Sequence, residues 1–227
     1  MQHFYLLRHG QVAADAALYG VTDVAVLPKI DAKIEKSITM QSLKFSGIYT
    51  SPLQRCKTLA QRLLKSHLIH DADKYNNSIT TVNALQEMNF GIFDGVLFDD
   101  IYRNSAQWQL LEQFWQSPND YPLPKAEPLT EFYQRVSDAW QTICQRHYQA
   151  ELAAPVTESN NQLIVCHGGV IRMILAHIMN DNIQQKGWYQ QHKIGYGSLT
   201  HITLTQGKAS VISIAKPCPQ TFSKDLV

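Results

Sequence analysis

The chain has 227 residues, 44% hydrophobic and 17% charged, far from the composition of disordered or coiled-coil chains and long enough to bury one sizeable α/β core. Its formal net charge of +1 excludes a general nucleic-acid binder, which needs a broad basic excess, so any anion must be held by a local cluster. Cys56, Cys144, Cys166 and Cys218 show neither CxxC nor metal-type spacing and suit a reducing cytoplasm.

The first apolar run, residues 4–7, reads as part of a strand, "HFYLL". Arg8 stops it too soon for a secretory core, and no later stretch reaches membrane-spanning length, so neither a targeting segment nor a membrane partner is expected. Residues 10–30 have weak periodicity and read as a long loop, which in a compact domain is usually functional. A second strand, "GIYT" (47–50), runs into "SPLQRCKTLAQRLLKSH". There Ser51 as N-cap, Pro52 at the first helical position and Gln54 completing a capping box predict a helix with Leu53, Leu59, Ala60, Leu63 and Leu64 buried. "SITTV" (78–82) is a third short strand.

Residues 94–128 break the rhythm with an aromatic segment and a proline-rich one, and predict an excursion above the sheet. "LTEFYQRVSDAWQTICQRHY" then places Leu129, Phe132, Val136, Ala139, Ile143 and His147 on one helical face. "QLIVC" (162–166) is a strand, "GVIRMILAHIM" an apolar helix between layers, and residues 196–215 two strands around the turn Gln206-Gly207. Strands alternating with helices predict an α/β fold of three layers, a mostly parallel sheet with helices on both faces, in a single domain spanning 1–227. Nothing in the pattern fixes the number of subunits.

Ligands of open α/β sheets lie beyond the carboxyl ends of the strands. Arg8-His9 and His167 stand at two such ends, Arg55 lies in the helical turn after a third, and Glu87 follows a fourth. Two arginines, two imidazoles and a carboxyl group converging on one rim fit phosphoryl transfer through histidine. A neutral imidazole attacks phosphorus, cations hold the charge on the equatorial oxygens, an acid protonates the departing alkoxide, and no metal is required. Gly168 and Gly169, opening a helix, add unpaired N–H donors. Adjacent side chains of a regular strand face opposite ways, so Arg8 and His9 can share a pocket only if the backbone bends, and Gly10 permits that.

Taken singly, each of these residues has an ordinary reading: a chance triplet, a satisfied core histidine, an exposed helix arginine, a loop carboxylate. Their joint placement points to chemistry. Arg8, Arg55 and any charged form of His167 should lower the pKa of His9, whereas Glu87 has to hold its proton to act as an acid. His3, His67, His70, His147, His177, His192 and His201 lack ligand spacing and read as structural. Trp108, Trp115 and Trp140 read as packing. The P-loop, dinucleotide and nucleophile-elbow patterns are absent. Tyr19, Phe90 and Phe93 are candidate walls for an aromatic base, with packing as the plain alternative.

In order along the chain, "LLRHGQ", "TSPLQRCKTLAQRL", "LQEMNFGIFDG" and "IVCHGGVIRMIL" resemble the signature segments of the histidine phosphatase superfamily, the phosphoglycerate-mutase-like group. The resemblance implies that fold, His9 as the phosphorylated nucleophile, Arg8, Arg55 and His167 as the phosphate pocket, and Glu87 as the proton donor. Gly10, Gln11, Tyr19 and Gly168 count among the phosphate and substrate contacts. No cofactor or metal is implied, and the partner is a small phosphorylated metabolite. Within the family "ALYGVTDV" and "YGSLTHITL" look most like α-ribazole phosphatase, of cobalamin assembly. Asp15 and "VLPKIDAKIEKS" depart from the usual first loop. The alternatives are a phosphoglycerate mutase, a broad sugar-phosphate phosphatase, or a non-catalytic phospholigand-binding protein.

Overall fold

The structure, a computed structural model, describes residues 1–66, 68, 79–153 and 161–218. In chain order its main elements are β1 (Gln2–Arg8), α1 (Pro28–Met40), β2 (Gly47–Thr50), α2 (Gln54–Lys65), β3 (Ile79–Thr81), α3 (Phe98–Tyr102) and α4 (Ser105–Gln116). There follow α5 (Leu129–Ala153), β4 (Asn161–Cys166), α6 (Gly168–Met179), β5 (Ser198–Thr205) and β6 (Lys208–Pro217).

Alternation along the strands sets the layers. Leu6 and Leu7 of β1 are neighbours in sequence yet join opposite hydrophobic clusters; in β4, Ile164 and Cys166 share the cluster of Leu6 while Leu163 and Val165 share that of Leu7. A sheet apolar on both faces has to be covered on both. α1 and α2 cover one face with Ile34, Ile38, Leu59 and Leu63. α5 and α6 cover the other with Phe132, Val136, Trp140, Val170 and Ile174, joined there by Ile101 of α3 and Phe114 of α4. This is the three-layer α/β architecture expected.

The six strands run in the order β3-β2-β4-β1-β5-β6. The first four are mutually parallel, and β5 and β6 extend the sheet antiparallel at one edge. Gln206 (φ 51°) and Gly207 (φ 76°) turn that hairpin with both central residues at positive φ, the arrangement whose twist matches paired strands. Arg8 pairs with Cys166, and Thr50 with both Val165 and Thr81. Four parallel strands therefore end level, and the chain after each emerges on one rim.

Two local expectations are corrected and a third gains a contact. α1 occupies residues read as the end of a loop and the segment after it; its Ile30, Ile34 and Ile38 follow a four-residue spacing, but Leu27 at its N-cap offers no side-chain cap, which leaves Pro28 and the first-turn Asp31 as its start signals. Ser51 is not the N-cap of α2, which begins at Gln54 after Leu53. Instead Asp23, from the first loop, accepts from Gln54 N at 2.8 Å, and Gln54 Nε2 donates to the Asp23 carbonyl at 2.9 Å. Finally, residues 94–98 are stitched to the first loop through bridges Ala17–Leu97 and Leu18–Asp94. His67 and His70 lie outside the described residues, among which no helix is long and apolar enough to cross a membrane.

Candidate active site

His9 is the first residue beyond β1. Its N–H continues the ladder to the Cys166 carbonyl (3.1 Å), and the Arg8 and His9 carbonyls both accept from Gly197 N. Its Nδ1 lies 2.7 Å from the Gly10 carbonyl. A carbonyl only accepts, so Nδ1 carries the proton and Nε2 keeps its lone pair. His167, fully buried, is the N-cap of α6. Arg55 Nε donates to its Nδ1 at 3.3 Å, which places the proton on Nε2, 2.7 Å from Ser51 Oγ. The two imidazole centroids are 5.1 Å apart.

Burial is the largest influence holding His9 well below the usual histidine range, with Arg8 and Arg55 adding to it against a smaller opposing effect of the Gly10 hydrogen bond. The same holds for His167, where burial is followed by His9, Arg55 and Arg8. Both rings are therefore neutral, as the charge argument required, but desolvation outweighs the arginines.

Arg8 donates from Nη1 to the Ile194 carbonyl at 2.5 Å and packs its guanidinium 3.8 Å over the Tyr196 ring. Its Nε is buried without a partner. Glu87, 9% exposed, accepts from Gly169 N through Oε2 at 3.0 Å and from Met88 N through Oε1 at 3.1 Å. The Gly169 donor is thus engaged by the carboxylate rather than free. A Cβ at position 169 would fall 2.2 Å from Glu87 Oε1, so only glycine allows this approach. Behind it, Arg135 of α5 donates to the Ala84, Gln86 and Glu87 carbonyls while pairing with both oxygens of Glu127.

A cleft of ≈ 190 Å³ collects Arg8, His9, Tyr19, Glu87, Phe90 and Gly168. Gln11 is exposed and does not line it; Phe93 belongs to the core. Gly10 is not at positive φ; a Cβ there would come within 2.6 Å of Ile30 and 3.0 Å of Val26, so glycine is needed for packing against α1 and its approach. Arg55, 1% exposed, is absent from the cleft lining: Nη1 donates to the Thr22 carbonyl (2.9 Å) and Nη2 to those of Tyr19 (3.0 Å) and Gly20 (2.6 Å). It holds the first loop and the second imidazole. Arg172, Tyr189 and Tyr196 do line the cleft and were not singled out from sequence. Their only signal was proximity in the chain to the His167 segment and the final hairpin. A larger cavity of ≈ 470 Å³, bounded by Trp140, Cys144, Tyr148, His177 and Lys208 among others, contains none of the strand-end groups.

The opposite side of the first loop is held by Asp94, whose Oδ2 accepts from Val21 N (2.9 Å) and Phe90 N (3.0 Å) and whose Oδ1 accepts from Thr22 N (2.8 Å). Gly20 makes room, since a Cβ there would lie 2.0 Å from the Met88 carbonyl and 2.2 Å from Asp94 Oδ2. One carboxylate thereby joins the first loop to the segment that carries Glu87.

Residues 4–216 match the model of the histidine phosphatase superfamily (branch 1). A Hydrogenobacter thermophilus protein provisionally named phosphoserine phosphatase 2 is 24% identical over 231 residues, covering 96% of this chain and 97% of that one. The 2,3-bisphosphoglycerate-dependent phosphoglycerate mutase of Bartonella quintana is 26% identical over 79% of this chain and 82% of its own length. The solved α-ribazole phosphatase of Shigella flexneri shares the fold at a TM-score of 0.71, with 19% identity, 95% of this chain and 96% of that chain.

Proposed function

The chain belongs to the histidine phosphatase superfamily, and from that premise we propose that it hydrolyses small phosphomonoesters, without metal, through a phosphoryl group carried on His9. The observation that carries the reading is the neutral His9 ring, pinned through Nδ1 to the Gly10 carbonyl so that the Nε2 lone pair is available. Nε2 forms the P–N bond as the ester P–O bond breaks, and the departing oxygen takes its proton from Glu87. Water then attacks phosphorus and passes a proton to Glu87, the P–N bond breaks, and Nε2 recovers its lone pair. The unpartnered Arg8 Nε and the start of α6 at Gly168 face the phosphoryl oxygens. His167 joins them by exchanging the Ser51 hydroxyl for a phosphoryl oxygen.

Rapid quenching with labelled phosphoester, kept free of acid, should leave label on His9 alone. His9→Ala should lose roughly 10³-fold or more in turnover, as removal of a nucleophile does, and chelator should change nothing. Near-wild-type hydrolysis by His9→Ala would overturn the mechanism.

The alcohol suggested by "ALYGVTDV" and "YGSLTHITL" is α-ribazole, which would place the enzyme in cobalamin assembly; tyrosine and phenylalanine walls, Tyr19, Phe90, Tyr189 and Tyr196, suit a flat base. A second reading, mutase action, is favoured by the mutase relative. Free phosphate accumulating without a bisphosphorylated primer decides for hydrolysis. Release of phosphate from p-nitrophenyl phosphate disposes of a non-catalytic binder. Cys56, Cys144 and Cys166 are free thiols, two of them buried, which suits a reducing cytoplasm.

A further inference from the structure

The larger cavity, ≈ 470 Å³, lies between two helices and the final hairpin: Trp140 and Cys144 reach it from α5, His177 and Ile178 from α6, and Leu204 and Lys208 from β5 and β6. It has more than twice the volume of the cleft and, unlike the cleft, falls within the roughly 300–1,000 Å³ of small-molecule sites. Its floor is apolar. Trp140 and Leu204 are 2% and 1% exposed, and the Tyr148 ring stands beside the hairpin turn, 3.8 Å from where a Cβ on Gly207 would lie. Gln141 Nε2 is 3.1 Å from His177 Nε2. An amide N–H donates, so that ring nitrogen accepts, the ring proton sits on Nδ1 and the imidazole is neutral. Neither Asp nor Glu lines the cavity. Lys208 is therefore the one formal charge among the lining residues, exposed at the start of β6, and its ammonium has neither an ion pair nor a hydrogen bond among the described residues.

An apolar floor with a single free cation at its rim selects a ligand by shape and by charge. A flat ring gains contact with Trp140, Tyr148, Ile178 and Leu204. One carboxylate oxygen then meets the Lys208 ammonium, whose alkyl stem reaches over the apolar wall, and the amide of Gln145, which also lines the cavity, offers N–H donors to the other. A second negative charge would find no second cation. We propose that this cavity is a further binding site, separate from the cleft, for a small aromatic monocarboxylate. None of the strand-end groups lines it, so the site stands independently of the reaction assigned to His9.

Calorimetric titration with 1-naphthoate tests this, with its neutral isostere 1-naphthamide as control and saturating inorganic phosphate present to occupy the cleft. One 1-naphthoate should bind with a Kd of about 1 mM or tighter, and the amide about 5- to 10-fold more weakly. Lys208→Gln should erase that difference by weakening the acid alone, and Lys208→Arg should keep it; the side chain is exposed, so neither change threatens folding. Cys144 supplies a reading from the site itself, since it is half-buried in the cavity whereas Cys56, Cys166 and Cys218 are buried. Its alkylation by N-ethylmaleimide, followed by peptide mass, should slow as 1-naphthoate occupies the cavity. Equal affinity for acid and amide, an unchanged preference in Lys208→Gln, binding abolished by phosphate, or alkylation of Cys144 indifferent to the acid would overturn the proposal. Protection of Cys144 that grows with protein concentration in the absence of ligand would also overturn it, by giving the cavity to a second copy of the chain. None of these readings requires turnover, so failure here leaves the hydrolase reading untouched, and an inactive cleft leaves this site untouched.

Discussion

Adding one methyl group at position 169 tests whether Glu87 is the acid. In Gly169→Ala the new Cβ would lie 2.2 Å from Glu87 Oε1 and 3.0 Å from Cδ, with Phe132 Cε1 at 3.1 Å closing another side. The carboxyl group has to retreat by about 1 Å to reach ordinary contact, a misplacement of the size that costs on the order of 10²-fold in rate. That lies within the roughly 10²- to 10⁴-fold a general acid contributes. The cost should depend on the leaving group. An alkoxide cannot depart without a proton, so the single-turnover rate of His9 phosphorylation by an alkyl phosphate should fall about 10²-fold. p-Nitrophenolate leaves unprotonated, and its rate should fall by less than about tenfold. Rapid-quench measurement isolates this step from hydrolysis of the phosphoenzyme, and Glu87→Gln should give the same leaving-group pattern. Equal losses on both esters would show that the methyl group disturbs the phosphate seat instead, and an undiminished rate with the alkyl ester would refute the assignment of Glu87.

Asp94→Asn leaves one acceptor oxygen for three N–H donors and should cost about 1–2 kcal/mol in stability together with a raised KM, read by denaturant melts and steady-state kinetics; an unchanged KM would mean that the first loop does not depend on the clamp. Asp31 is buried on α1 with Oδ1 unpartnered, and burial pushes its carboxyl up to about 6. Folded Asp31 thus binds a proton that the unfolded chain has released between pH 4 and 6, so Asp31→Asn should stabilise by about 1–2 kcal/mol above pH 6 after allowance for screening and by nothing near pH 4; a gain independent of pH would refute this. For His9 and His167 the sign is opposite: the folded rings stay neutral while unfolded histidine protonates below about pH 6.5. Their contribution is complete above that pH and lost as pH falls, by at most about 1.4 kcal/mol per pH unit each. Unfolding free energies in an Asp31→Asn background should fall on acidification, less steeply in His167→Asn; equal slopes would contradict the neutral buried pair.

The layers, the strand order along the chain and the strand-end groups were legible because each depends on short-range pattern. "FYLLRH" and "LIVCH" show an apolar run ending in chemistry, and α5 and α6 carry unbroken apolar faces. What escaped depends on contacts between distant segments. Ser51 has every local mark of an N-cap, yet its hydroxyl meets His167, and the cap of α2 comes from Asp23, 31 residues upstream of Gln54. Asp94 and Arg135 look like surface charges in sequence, and only the fold brings them to backbone donors and carbonyls. Gly10 was read as a bend and is instead a packing requirement set by Val26 and Ile30.

The position of Arg55 ties specificity to reactivity. Its guanidinium, almost fully buried, faces the carbonyls of Tyr19, Gly20 and Thr22, while Asp94 takes the N–H groups of Val21 and Thr22 from the other side. Peptide dipoles solvate the buried cation without cancelling its charge, as a carboxylate would, so its field still reaches both imidazoles and adds to the effect of burial. The segment that holds Arg55 also contributes Tyr19 to the cleft wall. A first loop remodelled for another alcohol would shift those carbonyls, move the guanidinium and change the proton affinity of His9. A substitution that shifts the loop backbone between Tyr19 and Thr22 should therefore reach His9 through Arg55, whereas the exposed side chains of Gln11 and Asp15 lie outside that set of carbonyls.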